Sequence, residues 1–299
     1  MHYPAGFETY LKQISADFIP MADKPEESPE SVLRALWLLA TGQQYSAESA
    51  MAIDIRSLDN QETSDLKQYL DRWLAGEPLG HITNRQCFCE HEFIVAGQAL
   101  IPRKETELLA YKTIDIIRQL PDTTPTIIDI CTGCGNLPII FKHHYPASNI
   151  YAADLSADAI ELAQKNCDFH NFTGQIHFAT GDLLTPFDSL DLKGNVDIVT
   201  CNPPYISSKK VSAMAQAISE HEPAMAFDGG PFGITILQRT INDSAEYLKP
   251  GGWLLFEVGV GQGKPLQKMV DRSGFYSRIE TGLDASEQVR VIAAQRSTE

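Results

Sequence analysis

Basic residues are scarce: 24 Lys and Arg stand against 39 Asp and Glu, leaving a net charge of −15. Affinity for a phosphate backbone comes largely from Lys and Arg displacing counterions, so this balance speaks against nucleic acid as a partner. Long apolar runs are missing too. The longest, such as "LWLLA" at 36–40, fall far short of what a bilayer requires. The opening "MHYPAGFETYLKQISADF" has no basic segment ahead of an apolar one, so no cleaved signal is expected. Six cysteines are too few for a disulfide framework in a chain of this size. The closest pairs are Cys87-x-Cys89 and Cys131-x-x-Cys134, and the first has the wrong spacing for a zinc knuckle. The expectation is a cytoplasmic protein with reduced thiols, no metal, and neither membrane nor nucleic acid as partner.

What is present divides by periodicity. Residues 1–84 carry helical spacing. "SPESVLRALWLLA" sets Ser28 as N-cap and Pro29 at the first helical position. "SDLKQYLDRWLAG" sets Ser64 as a cap, Leu66, Leu70 and Leu74 on one face, and Gly76 as the stop. With segments near 5–18 and 46–56, these predict a small antiparallel bundle that docks a substrate rather than performing chemistry. Residues 86–95 alternate as a hairpin, and a helix begins near Glu105. Residues 85–120 are therefore expected to link the bundle to a domain at 121–299.

In that domain "TIIDIC", "NIYAAD", "QIHFAT", "NVDIVT" and "GWLLFEVG" are short apolar or β-branched runs separated by helical stretches. Such alternation predicts an α/β fold: a Rossmann-like, doubly wound, mostly parallel sheet. "FYSRIE" and "VRVIAAQR" lie too close together for a parallel crossover and should pair antiparallel at the sheet edge.

Two motifs carry chemistry. In "DICTGCGNLPII", Gly133 and Gly135 let the backbone turn tightly and approach a ligand in front of a helix N-terminus. Asp154 ends the next strand, 21 residues after Gly133, where a carboxylate can accept both hydroxyls of a ribose. A dinucleotide site asks for a third glycine at 138, but that residue is Pro. S-adenosylmethionine has no pyrophosphate to cradle and tolerates the change. The second motif, "NPPY" at 202–205, follows the fourth strand, next to the first across the switch point. The Asn202 side-chain oxygen and the Pro203 carbonyl can each accept one N–H of a planar NH2 group. Tyr205 offers it a flat face, and the prolines hold the acceptors rigid. Such a clamp suits methyl transfer, in which alignment of the nucleophile is the main requirement. A protein amide, a small-molecule amide or amine, and an adenine amine all remain open on these residues.

"GEPLGHIT", "LIPRKETELL", "DICTGCGN", "ADLSADAIELAQKN", "GDLLTPF", "DIVTCNPPYI", "HEPAMAFDGGPFG" and "LKPGGWLLFEVGVGQG" together resemble the HemK/PrmC family over nearly the whole chain. The NPPY box alone is shared with adenine N6 methyltransferases, whereas "IPR-x-ETE" with "HEP…DGG" is more specific. The resemblance implies a class I methyltransferase that uses S-adenosylmethionine to methylate the glutamine amide of the GGQ motif in peptide-chain release factors. It implies that Asn202, Pro203 and Tyr205 hold the amide and that Gly133, Gly135, Asp154 and Asp182 hold the cofactor, with Asp182 at the adenine. It also puts Phe88 and Arg103 near the methyl-donor pocket. The chain departs from the family pattern at Asn84, Cys87 and Glu90, which replace Gly, Glu and Gly. Lys104 replaces Pro, and Phe232 replaces Asp. These departures cluster around the substrate mouth and keep two alternatives in view, another protein's glutamine and a small-molecule amide or amine.

Overall fold

The computed structural model of the chain describes residues 3–21, 23–121, 124–204, 223 and 234–298. They fall into two compact units, Met1–Gly97 with Ile101–Lys104, and Gln98–Leu100 with Glu105–Glu299. The first contains α1 (Phe7–Asp17), α2 (Pro29–Ala40), α3 (Ala47–Ala50), α4 (Asn60–Leu74), α5 (Leu79–Thr83) and a hairpin of β1 (Arg85–Phe88) and β2 (His91–Ile94). Helix α2 touches α1, α3, α4 and α5. It is therefore buried nearly all round, which accounts for its almost unbroken apolar run. Ser28 caps it by accepting the Ser31 N–H, with Pro29 in the first turn as expected.

Two expected boundaries shift. Helix α4 is capped by Asp59, not Ser64. Asp59 Oδ1 accepts the Glu62 N–H at 2.9 Å and Glu62 Oε2 accepts the Asp59 N–H at 2.9 Å, a reciprocal box that starts the helix upstream of its apolar face. The helical stretch expected near 46–56 shrinks to α3. Just beyond it the buried Arg34 guanidinium donates to the carbonyls of Ala50 (3.0 Å) and Ile53 (2.5 Å), satisfying acceptors that a longer helix would have used.

The hairpin pairs Arg85 with Ile94 through to Phe88 with His91. Its two turn residues, Cys89 and Glu90, have φ of +48° and +65°, as a type I′ turn requires. Asn84, where α5 ends, has φ +55°. Both positions at which the resemblance puts glycine are thus left-handed. Lys104 is accommodated within the same unit by an ion pair with Glu48 at 2.5 Å.

The second unit holds a seven-stranded sheet in the order β5-β4-β3-β6-β7-β9-β8. The strands are β3 (Thr126–Ile130), β4 (Asn149–Asp154), β5 (Ile176–Thr180), β6 (Val196–Cys201), β7 (Leu248–Glu257), β8 (Tyr276–Leu283) and β9 (Val289–Arg296). The first five run parallel, and β9 pairs antiparallel with both β7 and β8, as the sequence predicts for the edge. Helices α6 (Thr106–Ile117), α7 (Asn136–His144) and α8 (Ala157–Phe169) pack in succession on one face. The other face carries α9 (Thr235–Tyr247) and α10 (Gly263–Ser273). Strand alternation separates the two layers: Ile128, Ile130, Leu254, Phe256, Ile292 and Ala294 join Leu237, Ile241, Leu266 and Val270 in one core. Residues one position out of step, such as Asp129 and Glu257, face α6–α8 instead. No described helix is long and apolar enough to cross a membrane.

Glu90 is exposed and holds a backbone shape that costs an L-residue about 1–2 kcal/mol. Glu90→Gly is expected to stabilise the protein by about 1 kcal/mol, part of the gain being lost to unfolded-state entropy. Chemical denaturation of the two proteins checks this, and a lower midpoint for the variant contradicts the turn assignment.

Candidate active site

The site grows from the sheet's register. Ile130 on β3 lies level with Ala153 on β4 and Cys201 on β6, and Cys201 lies level with Phe256 on β7. One residue further, Asp154, Cys131, Asn202 and Glu257 therefore share the carboxyl edge of four adjacent strands. At the usual strand spacing the Asp154 and Asn202 backbones stand about 10 Å apart, with the 131–135 loop between them. This is the switch point, where the helices on either side diverge and leave a crevice.

The loop alternates into left-handed backbone at Cys131 (φ +58°), Gly133 (+54°) and Gly135 (+81°). The two glycines serve different ends. A Cβ on Gly135 would meet Ala163 Cβ at 3.0 Å, so this residue lets α7 pack closely on α8. A Cβ on Gly133 would meet nothing within 4 Å, so this backbone faces open space. Asp154 holds the loop from the side: its Oδ2 accepts the Gly133 N–H and its Oδ1 the Ser156 N–H, both at 2.9 Å. Burial raises the Asp154 carboxyl above its ordinary value, opposed by the N–H groups of Ser156, Gly133 and Leu155. Each oxygen keeps a lone pair for a further donor.

Asp182 follows β5, beside Gly181, whose N–H bonds the Asp154 carbonyl at 2.9 Å. Its carboxylate is paired with Arg239 of α9 at 2.8 and 3.2 Å. Both side chains are about half exposed, so the pair is weak and a ligand donor can replace it. Just after β6, Asn202 is half-buried and Pro203 buried. Asn202 Nδ2 donates to Thr106 Oγ1 at 3.0 Å, and Thr106 Oγ1 donates to Glu257 Oε2 at 2.7 Å. Tyr205 and Phe232 lie outside the described residues. Phe88 and Arg103 belong to the first unit. Phe88 is fully buried, edge-on to Phe93 with centroids 6.1 Å apart, and Arg103 lies among Asp23, Glu26 and Glu27.

The structure adds Asp129, which no motif in the sequence singles out. It is fully buried on β3, its Oδ1 accepting the Thr200 hydroxyl at 2.6 Å. Its Oδ2 has no hydrogen-bond partner among the described residues; the Thr132 hydroxyl stands close by without suitable geometry. Burial pushes this carboxyl up to about 7, with the hydroxyls pulling it back only in part and the Asp154 charge raising it further. Cys134, at the centre of the loop, is also buried, which pushes its thiol up to about 12 and suppresses the thiolate. An acid inside the apolar run "TIIDI" was the available signal for Asp129.

An open glycine cradle, a buried carboxylate oxygen lacking a donor and a half-free carboxylate at the next strand end fit a nucleoside that carries a cation. Fold and site together define a class I methyltransferase. The methyltransferase small-domain family model matches residues 111–234. The hMettl16 catalytic domain, solved with a MAT2A 3′UTR hairpin, superposes with TM-score 0.51 at 17% identity, covering 69% of this chain and 75% of that one. The human methyltransferase 10 domain containing protein gives 0.50 at 18%, over 69% and 88%. At such identities these two share the fold alone. The release factor glutamine methyltransferase of Moorella thermoacetica is 32% identical over 78% of this chain and 80% of its own. That of Thermodesulfovibrio yellowstonii is 30% identical over 80% and 84%. The chain belongs to the release factor glutamine methyltransferase family. It is thus a methyltransferase, in a class that takes its methyl group from S-adenosylmethionine.

Two stability predictions follow from this geometry. Gly133→Ala and Gly135→Ala share the strain of a positive φ, but only the second forces a side chain against α8. Gly135→Ala should cost about 1–3 kcal/mol more than Gly133→Ala in denaturant titration, and equal losses count against the packing role. For Asp129, the folded pKa lies above the unfolded one, so the folded state binds more protons between the two values and is destabilised as pH rises. Asp129→Asn should therefore gain stability relative to the parent between about pH 4 and pH 7, with a constant difference above that window. A pH-independent difference sinks the assignment.

Proposed function

We propose that this chain transfers a methyl group from S-adenosylmethionine to the side-chain amide nitrogen of a glutamine in the GGQ motif of a peptide-chain release factor. The observation that carries the reading is the position of Asn202. It stands at the carboxyl end of β6, level with Asp154 and one strand from the glycine loop, in a chain whose relatives bear that activity in their names.

In this reading Gly133, Gly135, Asp154 and Asp182 hold the cofactor. Asp154 takes the ribose hydroxyls on its remaining lone pairs. When bound, S-adenosylmethionine supplies an electrophilic methyl carbon, which the acceptor nitrogen takes as the carbon–sulfur bond breaks, an N–H proton then leaving to water. The chain's own residues align that nitrogen. Asn202 Oδ1 and the Pro203 carbonyl each accept one N–H, which favours pyramidalisation of a nitrogen whose lone pair is otherwise delocalised. Tyr205 offers the planar amide a flat face. No strong base is required before transfer.

The first unit docks the rest of the release factor, adding binding energy remote from the reacting nitrogen. A glutamine on a glycine-rich loop reaches a narrow pocket without its own backbone clashing.

The test is intact-mass analysis of purified release factors incubated with the enzyme and labelled S-adenosylmethionine. One methyl group on the GGQ glutamine is expected, and Asn202→Ala should lower kcat roughly a hundredfold with cofactor affinity unchanged. An intact release factor should also exceed a short GGQ peptide in kcat/KM by roughly a hundredfold, as lost docking energy requires. If release factors stay unmodified while a small amide or amine is methylated, the substrate assignment fails.

A further inference from the structure

The two ends of the Asn202 carboxamide have nearly the same shape and opposite hydrogen-bonding sense. Only with the oxygen outward can it accept an N–H from an acceptor amide. Turned over, its NH2 would face the acceptor's NH2, donor against donor. We infer that Thr106, locked by Glu257, is a positioning residue that fixes this orientation and keeps the Asn202 oxygen toward the acceptor. The inference rests on the reading of Asn202 as the residue that holds the acceptor amide.

The constraint starts at the buried end. The Glu257 carboxylate accepts hydrogen bonds, and the Arg290 guanidinium stands 3.8 Å from its Oε1. Thr106 has one hydroxyl hydrogen and donates it to Glu257 Oε2 at 2.7 Å. Toward Asn202 the hydroxyl is then left with lone pairs only. It must receive an N–H, which it does from Nδ2 at 3.0 Å. The opposite orientation would set two acceptor oxygens against each other. Thr106 and Glu257 are 2% and 1% exposed, so bulk water cannot stand in for either partner.

The fold builds the relay by alternation. Cys201 and Phe256 are level across β6 and β7 and both belong to the core against α9 and α10. The next residue in each segment, Asn202 just past β6 and Glu257 at the end of β7, turns to the opposite face. There the first turn of α6 supplies Thr106 to both. Arg290 of β9 also approaches Glu105, at 3.6 Å, which ties the start of α6 to the same cation. Thr106 of "IPRKETE" thus joins Asn202 to Glu257, while the adjacent Glu105 approaches the same Arg290 that faces Glu257.

The full-length protein carrying Thr106→Val, which keeps the shape and removes the hydroxyl, tests this. The Asn202 side-chain NH2 resonance is identified in a 15N spectrum by its loss in Asn202→Asp. Its protection from solvent exchange should be high in the parent and lost in Thr106→Val. With an intact release factor, kcat should fall roughly ten- to hundredfold while the KM for S-adenosylmethionine stays within about twofold. Thr106→Ser should restore most of both. Thr106→Ala gives the same readouts should valine not be tolerated. Unchanged protection, unchanged kcat, or no recovery with serine each overturns the relay. If the parent enzyme methylates no release factor, the proposed function fails on its own account, and NH2 protection still decides the relay.

Discussion

Parallel pairing of β3 with β4 on one side and β6 on the other leaves the chain no way to cover both pairs from a single direction. The helix after β3 must turn toward β4 while β6 is reached from the opposite side, and the carboxyl ends of the central strands open into a crevice. Every group proposed for chemistry in the second unit sits on that edge because of this one pairing. The glycine loop leaves β3, Asp154 ends β4, Asn202 follows β6 and Glu257 ends β7. The register sets their level, and the two-residue period of each strand sets which face they address. Rigid strand ends suit a reaction that depends on alignment more than on a strong acid or base.

The same edge is costly in the absence of a ligand. Cys131 takes a left-handed backbone without being glycine, and two carboxyls, Asp129 and Asp154, are raised by burial. Asp154 raises Asp129 further by its charge. Strained backbone and unbalanced buried charge concentrate where a ligand is to be received. An exposed ion pair such as Asp182 with Arg239 stands at the other extreme, cheap to open because water already competes for both partners.

Legibility in the sequence followed the range of the interactions. The parallel strands, the antiparallel edge, the glycine loop and Asn202 at a strand end could be read from local pattern. Thr106 and Glu257 could not, since they meet across 151 residues and neither looks unusual in its own segment. Alternation alone, counted along "DIVTCN" and "WLLFE", would have put Asn202 and Glu257 on one face. At α4 the apolar stripe drew attention to Ser64, whereas the Asp59 and Glu62 pair three residues apart carried the real start. Gly133 and Gly135 looked alike in sequence. Only the packing of Ala163 against one of them separates a glycine needed by the fold from one facing open space.

The departures from the family pattern take on a different weight once their backbone settings are known. Asn84 and Glu90 occupy left-handed positions that glycine fills most easily, and asparagine is the next best tolerated residue there. Cys87 lies directly opposite Glu92 in the hairpin. Glu92 already accepts the Ser46 N–H at 3.2 Å, so a glutamate at 87 would set a like charge directly across the ladder. Lys104, free of proline's restriction, reaches Glu48. Each of these four changes has a local account within the first unit. None alters a group on the carboxyl edge of the sheet, so their number weighs little against the chemistry proposed there. Divergence in the hairpin adjusts how that unit is built, while the residues that would align a nitrogen with a methyl carbon are set by strand register in the other.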